Sequence, residues 1–137
     1  MSSLEEFLRN NNGMRLRFKP GNIYLAINEL LSYSGFAKQA KSQKHFVLLW
    51  RVDWEAEITI VNPSTSKVHG SNRNKGYFVA GGTIDKLSRD SIFLFIYDIR
   101  IKFGEYDNKS RIRRITIMPD EMFEEFLKEK EKFNRNH

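Results

Sequence analysis

The sequence contains no cysteine. That removes disulfides, a thiol nucleophile and cysteine-ligated zinc, and it fits a reducing compartment. No apolar run approaches the roughly 20 residues of a membrane-spanning helix, so no membrane partner is expected. The opening stretch MSSLEEFLRNNNG is acidic where a secretory leader is basic, and it has no long apolar segment. A cytoplasmic protein is expected. Of the three histidines, His45, His69 and His137, no two have the i, i+4 spacing of a helical zinc pair. Gly81-Gly82-Thr83 lacks the spacing and the lysine of a phosphate loop, and no G-x-S-x-G elbow occurs. No cofactor is expected. Neither an internal repeat nor a linker divides the 137 residues, which are read as a single domain, 1–137.

Positive charge, by contrast, is plentiful and unevenly spread. The chain carries 23 Lys+Arg against 17 Asp+Glu, a net charge of +6. Residues 14–114 hold 18 of the cations and 9 of the acids, whereas residues 115–137 hold six acids and four cations. A polyanion would be met by the middle of the chain and held off at both ends. The plainer alternative is that these lysines and arginines only solvate the surface. Mean hydropathy is −0.54, and the hydrophobic fraction of 40% is enough for a packed core.

Coarse patterning gives an α+β protein with a single antiparallel sheet of about five strands and flanking helices. Ser3-Leu4-Glu5-Glu6 fits a capping box opening a short helix over 3–10. Met14 to Lys19 alternates as a strand with Arg15, Arg17 and Lys19 outward. From Asn22, the spacing of Ile23, Ala26, Ile27, Leu30 and Leu31 is helical. Residues 45–61 read as either one bent strand or a hairpin around Asp53–Glu55, ended by Asn62-Pro63. Residues 63–76, PSTSKVHGSNRNKG, form a loop bearing Lys67, Arg73 and Lys75, and Tyr77 to Ala80 is a short strand. Ser91 to Phe103 alternates as one strand, GEYDNKS turns the chain, and Arg111 to Met118 returns beside it. That return keeps Ile112, Ile115 and Ile117 on one face only with a bulge near Arg113-Arg114. Pro119 opens a closing helix over 119–133, whose buried stripe is Met122, Phe123, Phe126, Leu127 and Phe133.

Cations neutralise phosphates, and aromatic faces stack on the bases of single strands. The candidate binding cations are Arg15, Arg17, Lys19, Arg51, Lys67, Arg73, Lys75, Arg100, Lys102, Arg111, Arg113 and Arg114. The candidate stacking rings are Trp50, Trp54, Tyr77 and Tyr106, with Phe103 beside them. The helices carry acids and the strands carry arginines, which favours a sheet face over a recognition helix and single strands over duplex. Aligned across the sheet, these cations would form one field. A homodimer is expected because a small sheet leaves open edges. Two alternatives stand beside this non-enzymatic reading. One is a metal-dependent nuclease using Asp53, Glu55 and Glu57 on one strand face, although the companion lysine two residues after Glu57 is absent. The other is a protein-interaction or virion component with incidental charge.

Residues 92–133, IFLFIYDIRIKFGEYDNKSRIRRITIMPDEMFEEFLKEKEKF, resemble the closing unit of the Whirly and transcriptional-coactivator class of single-stranded-DNA-binding proteins. In that class a strand, a turn, a cationic strand and a capped amphipathic helix follow in order. The resemblance implies DNA more than RNA as ligand, and places Arg100, Lys102, Arg113 and Arg114 on the matching strands.

Overall fold

The computed structural model describes residues 17–31 and 40–136. Seven strands run in chain order: β1 Asn22–Ile27, β2 Lys44–Asp53, β3 Ile58–Thr65, β4 Gly76–Val79, β5 Ser91–Leu94, β6 Ile99–Lys102 and β7 Ile112–Ile117. One α-helix, α1 Asp120–Asn136, follows. Every pairing is antiparallel, in the order β4-β5-β3-β2-β1-β7, with β6 also on β3. Among the described residues the protein is α+β, with seven strands and one α-helix. The helix expected over 3–10 lies outside them, as do Arg15 and most of the first expected strand. No helix among the described residues is long and apolar enough to cross a membrane.

The helix expected from Asn22 is strand β1. It sits inside the sheet between β2 and β7 and is buried or half-buried at every position. A strand covered on both faces is apolar on both, so its sequence also satisfies a helical stripe. Only Asn28–Leu31 is helical, as one 3-10 turn. Arg17 to Pro20 is a helical residue followed by a turn, not strand. Its geometry is tied down where the Asn22 amide and the Tyr24 hydroxyl both donate to the Arg17 carbonyl. Beside it, Phe18 is 1% exposed and stacks on Phe103 at 4.2 Å.

β2 and β3 form a hairpin closed by Trp54–Glu57. Asp53 Oδ1 accepts the Ala56 N–H at 3.0 Å, and Glu57 takes φ 55°. β3 continues through Asn62-Pro63 to Thr65 rather than stopping there. Pro63 falls where the partner of β3 changes from β6, which ends at Val61, to β5, which begins at Ser64. The ladder on that edge is already interrupted, so the missing N–H is tolerated.

The strand expected over 91–103 is two strands, β5 and β6, broken at Phe95–Asp98. The break is held by polar groups from far along the chain. The Asn62 amide donates to the Tyr97 carbonyl at 2.8 Å and to Asp98 Oδ1 at 2.7 Å. Lys130 Nζ donates to the Phe95 carbonyl at 2.9 Å and to Asp98 Oδ1 at 2.8 Å. β7 does not return beside β6; it pairs with β1 at the opposite edge, and Ile115 is the extra residue of a bulge. The 3-10 turn Phe103–Asp107 makes the crossing. Its Tyr106 ring meets Tyr24 of β1 at 5.1 Å while its hydroxyl bonds Thr59 of β3 at 2.6 Å.

Both sheet faces are covered. One buries Tyr24, Val47, Leu49, Val61, Ile99 and Ile101 beneath Phe18 and Tyr106. The other buries Ile23, Leu48, Phe93 and Phe95 beneath α1, with Ile84 and Leu87 joining from the 80–90 loop. Phe126 is the centre of the helix's buried stripe, flanked by half-buried Met122, Phe123 and Phe133, while Leu127 is 36% exposed. The stripe ends on a residue that the apolar spacing did not include: Lys130, 2% exposed.

Candidate nucleic-acid interface

A cleft of about 490 Å³ lies at the end of the sheet where β2 begins and β3 finishes. Lys44, Lys67, Lys75 and Arg89 line it, and no Asp or Glu does so among the described residues. Its apolar wall is Leu25, Phe46, Leu94, Ile96 and Tyr97, and Ile96 is 56% exposed. Gln43, Ser64, Thr65, Ser66 and Asn72 add hydrogen-bonding groups. None of the four cations is ion-paired among the described residues.

Local chemistry places Lys67 and Lys75 on this cleft. Lys67 N–H donates to Thr65 Oγ1 at 3.1 Å, and the Asn72 amide donates to the Lys67 carbonyl at 2.9 Å. Lys75 N–H caps the 3-10 turn Gly70–Asn74 on the Asn72 carbonyl, and the Lys75 carbonyl accepts from Phe95 N–H, each at 3.0 Å. Gly76 follows with Phe93 so close that a Cβ would overlap its carbonyl. Arg73 does not face the cleft; its guanidinium lies 3.8 Å from the Phe78 ring centre and pins the loop to β4.

The remaining cations form separate groups instead of one field. Arg51, Arg100 and Lys102 are brought together across β2, β3 and β6: Ile60 has Arg51 opposite on one side and Arg100 on the other, and Lys102 is opposite Ile58. Arg113 and Arg114 on β7, with Arg17 and Lys109, surround a broader hollow over Tyr24 and Tyr106. Arg17 there is paired with Asp107 at 2.9 Å. Arg111 is taken up by Glu105 at 2.8 Å and Glu29 at 3.2 Å, so it has little charge to offer a phosphate. Lys19 is exposed in the turn after Phe18.

Most of the candidate rings are committed to packing. Tyr77 is 5% exposed against Phe126, and Tyr106 is 6% exposed. Trp50 is half-buried, donating Nε1–H to Asp98 at 3.1 Å with Lys130 Nζ 4.6 Å from its ring centre. Trp54, 44% exposed at the hairpin tip, meets Phe18 and Phe103 in T-shaped contacts at 6.3 and 5.6 Å between ring centres. Burial raises the Tyr24 and Tyr106 pKa values and pushes Tyr77 up to about 12, helped there by Glu125. A hydroxyl whose folded pKa lies above its unfolded value of 10.0 stabilises the fold fully below that pH and loses the effect as pH rises toward the folded value. Denaturant unfolding should show stability falling between pH 10 and about 12, with a smaller fall in Tyr77→Phe. An equal fall in that variant rules out Tyr77 as a source.

The carboxylates proposed for metal do not share a strand face. Asp53 ends β2 and is engaged by the turn, while Glu55 and Glu57 lie within the turn itself. Among the described residues no cluster of three metal-ligating side chains forms. Sequence reasoning missed Lys44, Arg89, Phe46, Ile96 and Tyr97 as cleft residues. Lys44 carried a signal, since it closes a polar basic stretch, KQAKSQK, over 38–44; Arg89 carried none. No protein-family model matches the chain, and no curated protein is significantly similar to it.

Proposed function

We propose that the protein is a non-enzymatic binder of single-stranded nucleic acid, DNA in preference to RNA, with little sequence preference. The observation that carries this reading is the cleft that gathers four cations and, among the described residues, no carboxylate beside exposed Ile96 and the half-buried rings of Phe46 and Tyr97. Phosphates meet Lys44, Lys67, Lys75 and Arg89, and bases lie on Phe46, Tyr97 and Ile96. A duplex reader's cationic helix is absent among the described residues, since α1 turns six exposed carboxylates outward. A homodimer belongs to the same proposal: among the described residues β7 has a neighbour on one side only, and a second copy can cover such an edge.

Fluorescence anisotropy with matched single- and double-stranded oligonucleotides at several salt concentrations tests it. Binding should favour the single strand, and log affinity should fall linearly with log salt at about −0.7 per neutralised phosphate. A flat salt response, or equal binding of duplex, contradicts the reading.

A further inference from the structure

The Arg51–Arg100–Lys102 group lies on the same sheet face as the cleft but is cut off from it. Residues directly opposite across a ladder share a face, as do residues two apart along a strand. Lys44, Phe46 and Leu48 on β2 therefore share the face of Asn62, which is opposite Leu48. Ile60 is two residues from Asn62, so Arg51 and Arg100, on either side of Ile60, share that face too. Lys102 follows on it, opposite Ile58. Seven residues of strand put Lys44 and Arg51 about 20 Å apart.

Between them passes α1. Its Lys130 reaches Asn62 at 3.0 Å, at the level of Leu48. The helix carries six exposed carboxylates against exposed Lys128, Lys132 and Arg135. A polyanion running straight from the cleft to Arg51 would have to climb over a surface of its own sign. The three platform cations, meanwhile, have no ion-pair partner among the described residues. Two carboxylates lie near: Asp53, opposite Ile58 on the same face, accepts from Ala56 N–H in the turn, and Asp98 already holds Lys130 and accepts from Trp50 and Asn62.

The geometry points to a second single-strand site on the β2–β3–β6 platform, so that one chain holds two nucleic-acid segments, one on each side of α1. This inference rests on the nucleic-acid reading of the cleft. Its biochemical consequence is bridging: one protein chain draws two strands, or two parts of one strand, together.

The test uses an oligothymidylate of about eight nucleotides, within the ~4–16-nucleotide footprint of small single-strand binders. Stoichiometric titration should give two oligonucleotides per chain, and an equimolar mixture of donor- and acceptor-labelled oligonucleotides should show energy transfer on adding protein. Arg51→Glu/Arg100→Glu/Lys102→Glu should leave one oligonucleotide per chain and lower the transfer efficiency. Lys44→Glu/Lys67→Glu/Lys75→Glu should also leave one. Thermal unfolding of both variants controls for folding, and single-residue reversals replace a triple variant that fails it. One oligonucleotide per wild-type chain, lost only with the cleft variant, overturns the platform and leaves the cleft reading intact. No binding at low salt overturns both.

Discussion

Replacing Asp98 with alanine should destabilise the protein by about 3 kcal/mol, toward the low end of the range for breaking a buried ion pair. One oxygen, Asp98 Oδ1, accepts from Lys130, Trp50 and Asn62. Lys130 is 2% exposed, so removing the carboxylate strands an ammonium away from water. The Asp98 side chain is 47% exposed, which discounts the effect from the upper end. Lys130→Met should cost less, about 2 kcal/mol, because it leaves polar acceptors at Asn62 and Phe95 rather than a buried charge. The double variant should be milder than the sum of the two singles. For a chain of this size Asp98→Ala translates to a fall in Tm of about 10 °C. Burial pulls the Lys130 pKa down while Asp98 raises it. Without Asp98 the folded value drops further, and the unfolded chain then binds more protons between that value and the ordinary 10.5. Stability of Asp98→Ala should therefore rise with pH until the tyrosines begin to ionise. A Tm within a degree or two of wild type would mean that the pair does not organise the break between β5 and β6.

The second large effect concerns binding. Lys44→Ala/Lys67→Ala/Lys75→Ala removes three of the four cations of the cleft. The salt slope should become shallower by about 2, which makes the loss between 50 and 200 mM salt roughly 20-fold smaller than in wild type. Arg73→Ala separates contact from positioning. Its guanidinium lies on Phe78 and not in the cleft, so affinity should fall while the slope stays unchanged. If Arg73→Ala shifts the slope as a lysine substitution does, Arg73 meets phosphate directly and the loop is arranged differently.

The elements most legible in the sequence were those whose stabilising contacts are local. The short strand before Gly81-Gly82, the charged faces of β6 and β7 and the closing helix follow from alternation, turn residues and a capped stripe, whereas residues 45–61 fitted one bent strand as well as the observed hairpin. β1 was not legible as a strand because it is buried on both faces and loses its period of two. The break at 95–98 was not legible either, because Asn62 and Lys130 hold it from 35 residues away on either side. The same division holds for the site. Lys67 and Lys75 stand out in an acid-free loop, whereas Arg89 joins them only through the fold. Tyr77 and Tyr106 sit beside turns and cations in sequence, yet the fold seals both into the core. Arg111 looked like part of a cationic strand until Glu29, 82 residues away, came to rest beside it.

The most direct test of the cleft is photocrosslinking of a bound oligothymidylate followed by mass spectrometry of the peptides. The account predicts adducts on the segments carrying Phe46 and Tyr97, suppressed in Lys67→Glu/Lys75→Glu. Efficient crosslinking that spares both segments would place the nucleic acid elsewhere and contradict it.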